Sequence, residues 1–398
     1  MGQLERTWTS TDTAGMNKVT ETAYTYDVLG RLAGTTATWR NAVDIADEST
    51  TYAYDDAGAL DTIAHASGLV EDHNTNALGR VENITHFNDA NNNGQLDTGE
   101  TVVSQFDYTY DAAGNRLSAV ETINGQSRTF TWAYDGLNRL VKETLIASDL
   151  DDYIHNFSYD LSSNRVGQTV DQLADGTVDE TTAYTHDRND RLLSETSSTD
   201  GTTTYGYNDS GEQTSKTDAS GTTNYRFDVS GRLVGIDTNN DGVDDITYGY
   251  NDQGLRVSQT DAATGQTTTY HFDPRNPTGY AKAIEEYVDG VLSRSYTFGH
   301  RIEAQHDATA GSQQLLHDLH GSTRALIDTA TAAVLATYTY EAFGSAIGFD
   351  ASTAATTWLF ANDGQYDPAS GFTYHLERWR NGHVFLGMDP FFGNVTDP

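Results

Sequence analysis

The sequence predicts an all-β repeat array, on three observations: an aromatic-x-aromatic-Asp phrase recurs, a glycine or substitute follows each Asp by three residues, and Thr-rich segments fill the intervals. The first copy is Tyr24-Thr25-Tyr26-Asp27-Val28-Leu29-Gly30-Arg31-Leu32. Tyr52-Ala53-Tyr54-Asp55 with Gly58 and Tyr108-Thr109-Tyr110-Asp111 with Gly114 follow it. Further copies end at Asp135, Asp160, Asp187, Asn208, Asp228, Asn251 and Asp273, and a weaker one sits at Leu78-Gly79-Arg80-Val81. From Asp135 to Asp273 the interval stays near two dozen residues, the behaviour of a solenoid or repeat array.

Each part of the phrase has a physical reason. Aromatics two apart project from one face of a strand, so Tyr24 and Tyr26, or Tyr225 and Phe227, form an apolar stripe. The Asp or Asn opens a turn by accepting nearby backbone N–H groups. Gly30, Gly58, Gly114, Gly211, Gly231 and Gly254, with Asn138 and Asp190 as substitutes, are residues that tolerate positive φ, and only Ser163 departs from that set. Arg-Leu or Arg-Val, as in Arg139-Leu140, Arg191-Leu192, Arg232-Leu233 and Arg256-Val257, begins the returning strand. The sum is an antiparallel array of β-hairpins.

This pattern resembles the YD repeats of the RHS, teneurin and insecticidal toxin-complex proteins over most of the chain. Towards the C-terminus, His317-Asp318-Leu319-His320-Gly321-Ser322-Thr323-Arg324 is similar to the RHS core motif, and Tyr338-Thr339-Tyr340-Glu341-Ala342-Phe343-Gly344 to the phrase that follows it. Gly364-Gln365-Tyr366-Asp367-Pro368 and Met388-Asp389-Pro390-Phe391-Phe392-Gly393 resemble the end of the RHS-associated core. The resemblance implies a spiralling β-sheet, part of an RHS-type shell closed around a toxic C-terminal domain, or a barrel on a cell-surface receptor. It divides the chain into a YD-repeat array over residues 1–300 and a truncated core-like region over 301–398. In two respects the sequence departs from the family pattern. Residues 376–385 are shorter and less regular than the family phrase, and no second Asp-Pro-x-Gly follows Asp389-Pro390 before Pro398. The expectation is therefore no self-cleavage and no toxin within this chain.

Composition narrows the functions. Asp+Glu number 58 against 23 Lys+Arg, a net charge of −35 that repels nucleic acid and anionic headgroups and suits calcium or basic partners. With no cysteine, disulfides, thiol catalysis and cysteine metal sites are excluded. The 23 Tyr and 14 Phe supply apolar surface that a disordered acidic chain lacks. Met1-Gly2-Gln3-Leu4-Glu5-Arg6 does not read as a signal peptide, and no apolar run approaches membrane-spanning length.

Residues 89–100 fit the twelve-residue calcium loop, with Asp89, Asn91, Asn93 and Asp97 as oxygen donors, Gln95 at the backbone-carbonyl position and Glu100 as the bidentate twelfth residue. Gly94 permits the sharp turn. Flanking segments read as strands, so this is a loop between strands and not a helix-flanked hand. A second loop begins at Asp237 with Asn239, Asp241, Val243 and Asp245, but Tyr248 stands where the Glu belongs, and Asp244 offers a compensating carboxylate. A third stretch, Asp171 to Asp179, lacks a ligand at its third position. The bland reading of all three is an Asn/Asp/Gly turn without an ion. His317, Asp318 and His320 lack a nucleophile or third metal ligand at diagnostic spacing, so the family motif explains them better than catalysis does.

Two function classes follow. One is a non-catalytic shell segment that encloses or presents a polymorphic toxin, its partners being the rest of an RHS shell or a toxin domain. The other is a calcium-stabilised, secreted or cell-surface adhesin that binds glycans or another cell. Neither requires a membrane span or nucleic acid.

Overall fold

The computed structural model describes residues 4–10, 18–40, 43–361, 364–376, 378–382 and 384–387, with residues 43–47 described by their backbone alone. Strand follows strand from Arg6–Ser10 to Val334–Thr337, each paired antiparallel with its chain neighbours, as Lys18–Tyr26 pairs with Leu32–Arg40 and Tyr153–Tyr159 with Arg165–Gln172. The array has twenty-eight strands among the described residues. Among the described residues the one helical element is a 3-10 turn, Ala351–Thr353. The fold is the all-β array that the repeats predict.

The repeat phrase explains why. At Asp27 the backbone N–H donates to the Arg31 carbonyl (2.9 Å) and the Asp27 carbonyl accepts from Gly30 (3.0 Å). The Asp27 carboxylate accepts the N–H groups of Leu29 and Arg31 (2.9 and 2.8 Å) and the Arg31 Nε (2.7 Å). One side chain thus satisfies the donors that the turn exposes. The scheme recurs at Asp135, Asp187 and Asp228, and with Asn at 76, 208 and 251. The weak copy at residues 78–81 is therefore a full turn headed by Asn76. The fourth position demands a left-handed backbone, and Ser163 adopts it too, at φ 70°, although serine favours it little.

Each repeat also carries a β-bulge just before its second aromatic. The register shifts between Thr25 and Tyr26, Ala53 and Tyr54, Ser158 and Tyr159, and Gly249 and Tyr250. A bulge raises the local twist and re-aims the next side chain. The two tyrosines of a phrase therefore have different tasks. The first is buried, as at Tyr24, Tyr52, Tyr108 and Tyr225. The second reaches back to the preceding repeat: Tyr54 donates its hydroxyl to the Leu32 carbonyl, Tyr159 to Leu140, Tyr207 to Leu192 and Tyr250 to Leu233, at 2.6 to 2.8 Å. The arginine of that preceding turn lies over the same ring, Arg31 on Tyr54 at 4.2 Å and Arg139 on Tyr159 at 4.9 Å. Where the second aromatic is one of these tyrosines, the repeat is stitched to the one before by the residues that define the phrase.

By packing, the chain divides into two compact units. The first comprises residues 1–129, 268–339 and 358–362 and has a core that includes Ile63, Ile84, Phe87, Phe106, Phe298, Leu316 and Leu326. The second comprises residues 130–267, 340–357 and 363–398. In it a four-stranded sheet, Gln365–Asp367 to Val384–Phe385, packs by Tyr374 and Trp379 against Tyr248 and Arg256. This division follows packing, whereas a boundary at residue 300 follows motifs.

Candidate functional site

Three acidic loops share one hydrogen-bond scheme. In the loop at 89–100, the Asp89 carboxylate accepts the N–H groups of Asn93 (3.2 Å) and Gly94 (2.6 Å), the Asn93 side chain accepts that of Gln95 (2.8 Å), and Glu100 accepts those of Ala90 (2.8 Å) and Asp97 (2.9 Å). Burial works to raise the Asp89 pKa, but these backbone donors hold it below the usual carboxylate range. Asn91 and Asn93 both donate to Asp97 at 2.7 Å, so four of the five expected ligand side chains, Asp89, Asn91, Asn93 and Asp97, already converge. Glu100 closes the loop by its hydrogen bonds from Ala90 and Asp97.

At 237–245 the scheme is shortened. Asp237 accepts from Asp241 (3.2 Å) and Gly242 (3.0 Å), Asn239 accepts from Asp241 (2.9 Å), and Asp241 accepts from Val243 (2.9 Å). Asp245 takes the closing role of Glu100 by accepting the Thr238 N–H at 2.8 Å. Asp244, expected to compensate, instead pairs with Arg226 outside the loop. Tyr248 lies buried in strand Ile246–Tyr250 with its hydroxyl on Asp367 (2.6 Å), which is why no twelfth ligand exists. The third loop repeats the short scheme, with Asp171 accepting from Asp175 and Gly176 and Asp179 closing on the Gln172 N–H (2.7 Å). Its third position is Leu173, which offers no side-chain oxygen and sits at φ 68°.

The motif at 317–322 is another copy of the repeat turn. Gly321 donates to the Asp318 carbonyl (2.9 Å) with φ 78°, and the Asp318 carboxylate accepts from His320 and Ser322 (2.9 and 3.0 Å). The bulge falls between Leu316 and His317, so His317 occupies the second-aromatic position. Glu341-Ala342-Phe343-Gly344-Ser345 is the same turn again. Aligning Asp318-x-x-Gly321 with Asp27-x-x-Gly30 was the signal that could have revealed this. His320 packs edge-on to Phe360 at 5.0 Å, and the Ser322 hydroxyl accepts the Ala361 N–H (3.1 Å). Asp389, Pro390 and Gly393 lie outside the described residues.

Around these turns the first unit buries ion pairs that no local pattern announces, because the partners are some 200 residues apart in sequence. Arg324 donates to Glu121 (2.9 Å), to Asp318 (3.0 Å) and to the Tyr338 carbonyl (2.9 Å). Arg301 grips Glu71, which also meets His86 (2.8 Å) and His73. Burial works to raise the Glu71 pKa, but Arg301, His86 and His73 outweigh it and hold the carboxylate well below its usual range. His317 is fully buried, neither ring nitrogen has a hydrogen-bond partner, and burial together with Arg301 holds its pKa well below 6.5. Tyr52 donates to Glu303 (2.9 Å) only because residue 299 is glycine: a Cβ there would lie 1.7 Å from the tyrosine oxygen. In the second unit, Tyr159, Arg165, Tyr184, Tyr207, Phe343 and Phe385 line an open cavity of about 460 Å³.

Stitched tyrosine–aspartate hairpins, repeated along an antiparallel array and through the turns of the C-terminal motifs, define a YD-repeat protein. The RHS Repeat family model matches residues 110–147 and 207–244, so the chain carries RHS repeats at those two places. It is 26% identical over 298 residues to the tRNA3(Ser)-specific nuclease WapA of Bacillus spizizenii and, over the same length, to the tRNA nuclease WapA of Bacillus subtilis. These alignments cover 73% of this chain, and it spans about a tenth (10%) of the length of the curated relatives it matches. In structure it is similar to parts of the Photorhabdus luminescens Tc holotoxin pore and of TcdB2-TccC3-TEV, each with a TM-score of 0.71 at 16% identity over 97% of this chain and 20% of the other. At that identity the likeness shows the fold. No helix among the described residues is long and apolar enough to cross a membrane.

Proposed function

We propose that this chain is a non-catalytic segment of an RHS shell that encloses or presents a toxin domain outside the cell. The observation that supports this reading best is the fold, shared over nearly the whole chain with part of a Tc toxin assembly. The net charge of −35 opposes a polyanionic substrate, so the nuclease activity in the relatives' names is assigned to the remainder of those proteins. The test begins with the reading frame beyond the segment encoding residues 1–398. A downstream unrelated domain is then produced with and without residues 1–398 and exposed to protease. The reading expects protection that depends on residues 1–398, and equal cleavage in both proteins would overturn it.

Calcium is part of the same proposal. The loops at Asp89 and Asp237 bind the ion as structural braces, with Glu100 and Asp245 closing them. Binding to the folded state alone adds stability by mass action, so calcium raises the melting temperature relative to chelator, and Glu100→Gln weakens that shift more than Asp244→Asn does. An identical melting temperature in calcium and chelator would remove calcium from the account. The aromatic cavity of the second unit favours a second reading, a surface protein that stacks tyrosine faces on sugars. A glycan array read with the wild type and with Tyr184→Ala distinguishes it.

A further inference from the structure

Strands Leu140–Ala147 and Tyr153–Tyr159 pair in a register that sets Glu143 directly opposite His155, on one face of the sheet. Glu341, which heads the turn 341–345, is brought to the same place from nearly 200 residues further along the chain. One oxygen of each carboxylate and one ring nitrogen lie within 4.8 Å of one another. We propose that Glu143, His155 and Glu341 bind one divalent transition-metal ion of the zinc class, which pins the Glu341 turn onto the two strands.

Glu143 is fully buried, and its oxygens are held by neutral donors, the Trp132 indole N–H and the Ala342 backbone N–H, each at 3.1 Å. The charged form of a carboxylate buried among neutral donors carries a desolvation cost, which a dication at the site would offset. His155 gives a second and independent sign. Its Nδ1 is shut off from solvent and faces Glu341 Oε2 at 3.3 Å, a contact that falls outside good hydrogen-bond geometry. Two ligand atoms at roughly 2.1 Å from a tetrahedral zinc lie roughly 3.4 Å apart, so this pair is already at ligand spacing. The ring is fixed by Tyr153, stacked at 4.2 Å, and by Phe157, edge-on at 6.2 Å. The Ser345 hydroxyl holds the other Glu341 oxygen at 2.6 Å, the outer-layer orientation that metal ligands use. One imidazole and two carboxylates are too few oxygens for calcium and suit a borderline cation with water in the fourth position.

The full chain, stripped of metal, is titrated with Zn²⁺ in excess calcium, and bound zinc is counted after equilibrium dialysis. Co²⁺ in the same site gives a visible spectrum that reports coordination geometry. The wild type should retain one tight equivalent with a tetrahedral-type cobalt spectrum, and Glu143→Gln and His155→Gln should each weaken that equivalent at least tenfold while melting normally in chelator. Glu341→Gln, whose amide keeps the Ser345 contact, is the third variant and carries the test if either of the others fails to fold. Equal zinc stoichiometry and affinity in wild type and variants, or no tight equivalent in the wild type, overturns the proposal and leaves a plain His155–Glu341 ion pair.

Discussion

Strands Gly311–His317 and Thr323–Asp328 of the first unit are mostly buried, whereas Gly201–Tyr207 and Gln213–Asp218 of the second are half-buried or exposed at every position but Gln213. Both pairs belong to repeats with the same turn, so the phrase sets the hairpin and leaves the number of covered faces open. Where one face is covered, a half-buried first tyrosine, Tyr205, and the stitch of the second suffice, and threonine pairs such as Thr217 and Thr222 face outward. Where both faces are covered, every charge needs a buried partner, which Arg324 and Arg301 provide. A strand loses its alternation when its outer face acquires a neighbour.

The comparison is broken most severely at Arg324. Arg324→Ala leaves Glu121 buried without its cation and should cost about 3–5 kcal/mol in denaturant unfolding, with part of the loss regained by adding Glu121→Gln. A loss below about 1 kcal/mol, the range of exposed pairs, would mean that the pair is not buried in solution.

Acid should act next, and on the first unit. Burial, reinforced by Arg301, lowers the pKa values of His65, to about 3, and His317. The unfolded chain protonates both near pH 6.5, so their contribution is complete above that pH and is lost as pH falls, by up to about 1.4 kcal/mol per pH unit for each group. Glu303 has the opposite sign. Burial raises it to about 7, so its contribution is complete below the unfolded value near 4.5 and is lost as pH rises through 7. His300 and His306 of the same unit are lowered by burial in the same direction as these two, so between pH 6.5 and 5 the histidines outweigh Glu303. His317→Phe, which restores an aromatic at that repeat position, should flatten the acid limb of unfolding midpoint against pH. An unchanged slope would show that His317 is not held neutral.

Smaller effects test the stitch itself. Tyr159→Phe removes the hydroxyl that reaches the Leu140 carbonyl and should cost about 0.5–1.5 kcal/mol in denaturant unfolding. Ser163→Gly relieves a left-handed serine and should stabilise by a few tenths to about 1 kcal/mol, the steric relief exceeding the added backbone entropy. Destabilisation by Ser163→Gly would show that the serine's contacts matter more than its φ.

Much of the fold was legible in the sequence because the repeat is local. Tyr-x-Tyr-Asp-x-x-Gly-Arg-Leu lies within nine residues, and each residue acts on the turn or on the neighbouring repeat. The different tasks of the two tyrosines were not legible, since a period of two places both on one face and the bulge that separates them has no residue signature. For the sites, the ligand order of Asp89 to Glu100 was readable, as was the defect at Tyr248. The choice of Asp245 over Asp244 was not, because it depends on Arg226 two strands back. Glu143, His155 and Glu341, like Glu71 and Arg301, are joined only by the folded sheet.

Native-state hydrogen exchange across all described strands tests the central claim most directly, that one stitched repeat yields two levels of stability according to how many faces are covered. The account predicts that amides of Gly311–His317 and Thr323–Asp328 exchange last, only on global opening, and that those of Gly201–Tyr207 and Gln213–Asp218 exchange first among the strands. Uniform protection along the array, or the reverse order, would contradict it.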